Sequence, residues 1–351
     1  MAEIMSSDDQ EAPEQRGMAP DQVEELEEKF GMQTIDDPNP EVLPSDKELT
    51  EALPDDVQYI DLIQYKIRDL DALGLERFHS LESLVLRDNL LDSANGLKKL
   101  PNKEKLEELD LYDNRIKHIS KHINEFTNLT TLDLSFNNIK NIKHLEALTK
   151  LENLYFVQNR IKEIRNLETL QNLKNLELGG NRIEVISETM LHLPSIEQLW
   201  LGKNMISKFE NLQNLKRLRV LSIQSNRITK IENLDQLESL EELYLSHNKL
   251  TKLEGLDNLH KLMVLDVTAN QISKLENLSH LTELTDFWCS YNKIDSFDNV
   301  REQLGHLPKL DTVYFEGNPI QLNAPALYRT KLKLNLGKSL QKIDAMYINQ
   351  A

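Results

Sequence analysis

From about residue 57 onward, apolar and polar positions follow one frame that returns every 22 or 23 residues. The frame is Leu-x-x-Leu-x-Leu-x-x-Asn-x-Ile-x-x-Ile, filled in full by Leu129, Leu132, Leu134, Asn137, Ile139 and Ile142. Its asparagine recurs at Asn89, Asn114, Asn137, Asn159, Asn181, Asn204, Asn226, Asn248, Asn270, Asn292 and Asn318. The Leu-x-Leu portion alternates with period two and predicts a short strand whose leucines face inward. The asparagine follows where the chain turns inside the coil. Its amide offers donors and an acceptor to backbone groups that water cannot reach. The trailing isoleucines close the outer side.

A single unit of this kind cannot bury its own apolar face, so neighbouring units must stack. A fixed period of roughly 20–29 residues with this pattern is the signature of a leucine-rich-repeat solenoid. The predicted fold is an α/β solenoid, a horseshoe of about twelve 22-residue repeats with a parallel concave sheet and a C-terminal cap. At ~4.8 Å per layer, the strands would span an arc on the order of 55 Å. The ends of the array are degenerate, as caps should be. Val57, Ile60 and Leu62 are followed by Tyr65 where asparagine is expected, then by Ile67 and Leu70. At the other end, Leu327, Lys331, Leu332, Leu334 and Leu336 form a mixed pattern over 327–340, followed by Ile343. This stretch predicts an amphipathic segment covering the last apolar layer. The asparagine interval widens to 25 between Asn89 and Asn114 and to 26 between Asn292 and Asn318. Residues 100–105 and 301–308 are therefore expected to bulge on the convex side.

Charge draws a further boundary. Residues 1–56 hold 18 Asp and Glu against 3 Lys and Arg, a net of −15. The other 295 residues hold 40 acidic and 38 basic side chains, a net of −2. Six of the 11 prolines also fall within 1–56, and its apolar residues are too sparse for a core. The expected organisation is an acidic disordered tail over 1–56, with a short helix conceivable at 23–30. A repeat solenoid over 57–320 and a cap over 321–351 complete the chain. The net charge of −17 argues against nucleic acid as the principal ligand.

No charged-then-apolar leader opens the chain and no apolar run approaches 18 residues, so neither secretion nor membrane spanning is expected. The one cysteine, Cys289, sits in an inward leucine slot and reads as a small buried hydrophobe. Catalytic constellations are absent from the pattern. Gly179-Gly180 lacks the Lys-Ser/Thr ending of a phosphate loop and reads as a small-residue turn. His118 and His122 lie in a connecting loop without a third metal ligand. Ser246 and His247 are adjacent, so their side chains diverge and Asp266 cannot complete a triad with them. Neither an enzyme nor a bound cofactor is expected.

The informative column is the residue between the last two leucines of each strand, which must point out of the concave face. It reads Asp61, Val85, Asp110, Asp133, Tyr155, Glu177, Trp200, Ser222, Tyr244, Asp266, Trp288 and Tyr314. Five of the twelve are acidic, five aromatic and none basic, although aromatic residues make up 6% of the chain. Both tryptophans fall in it. Two positions earlier stand Glu108, Glu242 and Asp286. Exposed Trp and Tyr on a rigid face are enriched at binding hot spots. Structural pairing of rings would put them in adjacent layers, yet Glu177 separates Tyr155 from Trp200; only Trp288 and Tyr314 are neighbours. Arg115, Arg160, Arg182, Arg227, Lys249 and Lys293 directly follow ladder asparagines, and Lys208, Lys230, Lys252 and Lys274 lie further on. The solenoid thus has an acidic-aromatic inner face and a basic flank, and a partner docking on the inner face should present basic and apolar surface.

These residues resemble a known family. Lys230-Ile-Glu-Asn-Leu, Lys274-Leu-Glu-Asn-Leu, Leu109-Asp-Leu-Tyr-Asp-Asn114, Leu243-Tyr-Leu-Ser-His-Asn248 and His280-Leu-Thr-Glu-Leu with Phe287-Trp288 carry the resemblance. They are similar to the intracellular leucine-rich-repeat regulatory subunits of protein phosphatase 1. The resemblance covers about residues 55–351, including the cap from Tyr328-Arg329 to Ile343-Asp344, and the acidic tail is similar in kind. It implies a subunit that holds the phosphatase catalytic subunit on its concave face, away from the substrate site. It further implies a preference for an immature or metal-deficient catalytic subunit, roles in biogenesis, chromosome segregation and mitotic exit, and residence in nucleus and cytoplasm. The family's contacts map onto Asp133, Tyr155, Glu177, Trp200, Asp266, Asp286, Trp288 and Tyr314, with Asp110, Tyr244 and Glu242 as secondary positions. Tyr155 and Trp200 stand where phenylalanine is also seen, and Asp286 where glutamate is; the chemistry is kept and the reach altered. No Arg/Lys-Val-x-Phe docking segment occurs in the tail. The expected partners are the catalytic subunit and, in a ternary complex, phosphatase inhibitor-3, bound to a monomer. A scaffold of a cytoskeletal or ribonucleoprotein complex stays open as an alternative, and a pull-down free of phosphatase would favour it.

Overall fold

One three-residue strand recurs in each repeat. They are β1 (Tyr59–Asp61), β2 (Ser83–Val85), β3 (Glu108–Asp110), β4 (Thr131–Asp133), β5 (Asn153–Tyr155) and β6 (Asn175–Glu177). The series continues with β7 (Gln198–Trp200), β8 (Val220–Ser222), β9 (Glu242–Tyr244), β10 (Val264–Asp266), β11 (Asp286–Trp288) and β12 (Thr312–Tyr314). The computed structural model describes residues 47–348, within a unit running from Asp46 to Ala351. Each strand pairs in parallel with the next in sequence, so strand order along the sheet is chain order. The pairing is in register throughout, as in Leu154↔Leu176 and Tyr155↔Glu177. The middle residue of every strand enters the core; Leu84, Leu132, Leu199 and Phe287 are each 0% exposed. The first and third residues therefore share the opposite, concave face.

The asparagine ladder does what an amide inside a coil must do. Asn137 Oδ1 accepts the Ile116 N–H at 2.9 Å, and its Nδ2 donates to the carbonyls of Leu111 at 2.9 Å and Ser135 at 3.0 Å. Asn226 and Asn270 make the same three bonds, two to the preceding layer and one to a carbonyl of their own. Every residue just before a ladder asparagine is left-handed, from Asp113 at φ 47° to Gly317 at φ 74°. Except at Gly317, where Gln321 Oε1 accepts it, its N–H is held by the next layer, as Gln158 donates to Gly179 O at 2.8 Å. That bond stabilises a conformation that non-glycine residues otherwise avoid.

A second asparagine column, unremarked in the pattern above, lies on the far side of the coil. Asn166, Asn211, Asn233 and Asn277 are left-handed, and each donates its side-chain amide to the layer before at 2.7–2.8 Å. Where asparagine is missing, Gly255 takes the position at φ 67°; a Cβ there would lie 2.6 Å from Ile231 O.

The N-terminal boundary is corrected, and the two wide intervals take helical form. Helix α1 (Glu48–Glu51) lies inside the stretch assigned by charge to the tail. Thr50 is buried and donates to Leu73 O at 2.8 Å, and Arg77 reaches Leu53 O at 2.8 Å and Asp55 at 2.9 Å. Packed chain thus begins ahead of residue 57; residues 1–46, with the helix conceived at 23–30, lie outside the described residues. The wide interval before Asn318 holds a helix, α2 (Phe297–Leu304), where a bulge was expected over 301–308. Ser296 caps it by accepting the Asn299 N–H, and Val300 and Leu304 anchor it in the core. Residues 100–105 likewise contain a 3-10 turn, Lys103–Lys105.

The cap consists of α3 (Pro319–Leu322), α4 (Pro325–Asn335) and two short strands, β13 (Lys342–Ile343) and β14 (Met346–Tyr347). Helical spacing turns Tyr328 and Leu332 inward and leaves Leu327 and Leu334 exposed, so these two leucines cover nothing. β13 extends the parallel sheet and β14 returns antiparallel to it.

Candidate functional site on the concave sheet

The in-register pairing brings the sequence-derived column into one continuous row. Asp110, Asp133, Tyr155, Glu177, Trp200, Ser222, Tyr244, Asp266, Trp288 and Tyr314 follow one another as direct cross-strand partners. Glu242 and Asp286 stand two layers apart in the neighbouring row, with Val264 between them. All eleven predicted positions therefore share one face.

All five rings are half-buried rather than fully exposed, and four of them lean on each other. Trp200 and Tyr244 stack with centroids 6.2 Å apart, Tyr244 meets Trp288 at 6.1 Å, and Trp288 meets Tyr314 edge-on at 6.0 Å. The first two contacts skip a layer, passing over Ser222 and Asp266. Separation by one layer therefore does not keep rings apart, contrary to the reasoning from adjacency, and four of the five column aromatics form a chain.

The aspartates have a local duty as well. Asp61, Asp110, Asp133 and Asp266 each use Oδ1 to accept the N–H two residues on, at 2.8–3.1 Å. Such a turn fixes the strand exit with one oxygen; the second oxygen meets the Tyr59 hydroxyl at Asp61 and Arg87 at Asp110. Burial, with Asp133 and Glu108 nearby, pushes the Asp110 carboxyl up to about 6 against the pull of the Tyr112 N–H and Arg87. Burial also raises Asp133 and Glu177. Arg87 pairs with Asp110 at 3.2 Å, but neither Asp133 nor Glu177 has an ion-pair partner among the described residues. Burial and the Glu242 carboxylate hold the Tyr244 hydroxyl protonated; it donates to Glu242 at 2.7 Å. The Trp288 indole N–H is buried and finds no acceptor among the described residues, and Asn175 Oδ1 beside Tyr155 finds no donor.

Sequence reasoning missed the glycine floor beside Trp200. A shallow pocket of about 200 Å³ is lined by Glu177, Gly179, Gly180, Trp200, Gly202 and Gln224, among others. Gly180 is left-handed at φ 69°, and a Cβ there would strike the Gln158 amide at 2.6 Å. The Gly-Gly pair marked this turn, but only the stacked layers show that it opens the face.

The chemistry set aside earlier finds no site among the described residues. Cys289 is fully buried and burial pushes its thiol up. His122 is bonded to Glu125 at 2.7 Å. Ser246 is buried while His247 is exposed. Among the described residues, no group of three or more His, Cys, Asp or Glu is placed to hold a metal ion.

The family described as leucine-rich repeats (2 copies) matches residues 104–147, 127–170, 171–214, 194–236, 216–258 and 238–280. Among solved structures, the chain is similar to the internalin InlF of Listeria monocytogenes, at 22% identity and a TM-score of 0.70. That match covers 92% of this chain and 88% of the other. A leucine-rich-repeat protein of Leptospira interrogans matches at 26% identity and a TM-score of 0.61, over 76% and 73% of the two chains. These likenesses concern the fold. A curated relative, protein phosphatase 1 regulatory subunit SDS22 of Saccharomyces cerevisiae, is 65% identical over 327 residues, 93% of this chain and 96% of that protein. The protein of the same name from Schizosaccharomyces pombe is 50% identical over 85 residues, 24% of each chain. With such identity across nearly the whole of both chains and the repeats stacked as described, the chain belongs to the SDS22 family of leucine-rich-repeat regulatory subunits of protein phosphatase 1.

Proposed function

We propose that this chain is a non-catalytic regulatory subunit that holds the catalytic subunit of protein phosphatase 1 against its concave face. In doing so it controls that subunit's maturation, localisation or activity. The observation that carries this reading is the row from Asp133 to Tyr314. It joins half-buried rings to carboxyls that burial holds above their usual range without a paired cation at Asp133 or Glu177. A partner presenting Lys or Arg and an apolar surface supplies the missing countercharge and covers the half-buried rings. We further propose that the subunit works as a monomer in nucleus and cytoplasm, admits inhibitor-3 as a third component, and serves chromosome segregation and mitosis.

The test is capture of the purified catalytic subunit by the full chain. Trp200→Ala combined with Trp288→Ala should abolish capture while the circular dichroism spectrum stays that of the parent. Truncating each aromatic anchor should cost about 2 kcal/mol or more. Unchanged capture by the folded double variant would sink the concave-face reading.

A further inference from the structure

The two edges of the sheet treat their cations differently. On the edge where the chain enters the strands, bases are neutralised across layers: Lys174–Glu152 at 2.8 Å, Arg219–Glu241 at 2.7 Å and Lys309–Glu283 at 2.6 Å. On the edge where the chain leaves them, Arg115, Lys117, Lys140, Arg160, Lys162 and Arg182 are all exposed. None of the six forms an ion pair among the described residues. Arg115 and Lys117 line one surface concavity, and Lys140, Arg160, Lys162 and Arg182 line a second. The acidic side chains in these concavities are Asp92 and Glu163, and Glu163 is engaged by Arg165 at 3.3 Å. The six cations occupy the exits of four consecutive layers, β3 to β6, which is about 14 Å of edge.

A second observation lies at one end of this band. Phe136 is 40% exposed and left-handed at φ 53°, a conformation that a bulky residue adopts only under constraint. It packs on Tyr112 with centroids 4.9 Å apart, and the Arg87 guanidinium lies 4.2 Å over the Tyr112 ring. Phe136 stands two residues before Asn138, which lines the first concavity. An open aromatic shelf thus adjoins a line of unpaired cations.

We infer that this exit edge is a second docking surface, for an acidic, extended peptide segment of another protein carrying one apolar side chain. About four extended residues span the cationic layers. Their carboxylates meet the Arg and Lys heads while the apolar side chain covers the Phe136–Tyr112 shelf. The edge is distinct from the concave row, whose chemistry is acidic, so one subunit can hold two partners of opposite charge. A peptide fits better than a nucleic acid. Single-strand binding draws on a series of aromatic platforms and a net positive field, whereas here one shelf serves a solenoid and cap of net charge −2 over residues 57–351.

The test is fluorescence polarisation with the full chain. The probes are a dye-labelled Glu/Asp peptide of about a dozen residues with one central phenylalanine, the same peptide with alanine there, and an oligouridine of similar length. The phenylalanine peptide should bind, and its affinity should fall with added salt. Arg160→Glu with Arg182→Glu should weaken it by tenfold or more while leaving catalytic-subunit capture and the melting temperature unchanged. Phe136→Ala should weaken the phenylalanine peptide several-fold and leave the alanine peptide unaffected. Absence of peptide binding, equal binding by the folded charge-reversed variant, or tighter binding of oligouridine would each overturn the inference.

Discussion

Trp200 and Tyr244 lie two strands apart, yet their rings stack at 6.2 Å with planes 20° from parallel. Strands so separated are about 9.6 Å apart, so each side chain leans toward the other over Ser222. Ser222 is 1% exposed and small enough to pass beneath. The ladder from Trp200 to Tyr314 therefore depends on what stands between its rungs. Ser222→Leu should wedge the two rings apart without disturbing Leu221 in the core. The expected outcome is an unchanged melting temperature, a shifted tryptophan emission and catalytic-subunit capture weakened about tenfold. Full capture with shifted emission would show that the stack serves stability alone.

Asp110 makes the concave acid legible to pH. Its folded-state carboxyl stands at about 6, above the ordinary 3.8, chiefly through burial. The folded protein thus holds this proton more tightly than the unfolded chain does. The resulting stability is complete below about pH 4 and is lost as pH rises through 6. Asp110→Asn keeps an acceptor for the Tyr112 N–H and removes the titration. Between pH 4 and 7 the parent should lose stability relative to this variant by an amount on the order of 2 kcal/mol. The measurement is the melting temperature of both proteins across that range, and a constant difference would refute the assignment.

The strand residues and the row they present were legible because a strict period assigns every side chain a face, and in-register stacking carries the assignment from layer to layer. Asp133 to Tyr314 could thus be aligned from spacing. What spacing could not convey is reach. Whether Tyr244 touches Trp200 depends on the volume of Ser222 and on lean along the sheet, which a one-dimensional pattern does not encode. The left-handed position before each ladder asparagine was hidden for a different reason. It is occupied by Asp, Phe, Gln, Lys, Ser, His, Ala and Tyr as well as Gly, because interlayer hydrogen bonds override local preference. The closing segment was legible as amphipathic, but its inward face was not, for lack of period: only the helix itself separates Tyr328 and Leu332 from Leu327 and Leu334.

The asparagine ladder should be energetically dear at its centre. Asn226 accepts the Ile206 N–H at 2.9 Å and donates to Leu201 O at 2.9 Å and Ile223 O at 3.1 Å. Asn226→Ala orphans the buried Ile206 N–H, at about 1–3 kcal/mol, and takes one bond each from Leu201 O and Ile223 O, which Asn204 and Asn248 still serve. Urea melts followed by circular dichroism should show a loss of at least about 2 kcal/mol. Asn166→Ala, on the outer column, removes one amide bond to Ile142 O and should cost less. Equal losses at the two sites would contradict the ladder's role as an internal bonding network.

The C-terminal cap hangs on one carboxylate. Asp344 Oδ1 accepts the N–H groups of Phe315 and Glu316 at 2.9 and 3.1 Å, while its Oδ2 accepts the Tyr328 hydroxyl at 2.6 Å. It thereby ties α4 to the end of the last full repeat. Burial and this carboxylate together keep the Tyr328 hydroxyl protonated far into the alkaline range. Tyr328→Phe removes the hydroxyl bond alone and should cost about 1.5–3 kcal/mol, the range for a hydrogen bond to a charged group. Asp344→Ala removes all three and should cost more. Because each layer is stabilised chiefly by its neighbours, the loss should appear first at β12 and β11. Amide exchange read by mass spectrometry should speed up there in Asp344→Ala while β4 to β6 stay protected. Uniform acceleration along the whole array would instead mean that the cap governs global unfolding.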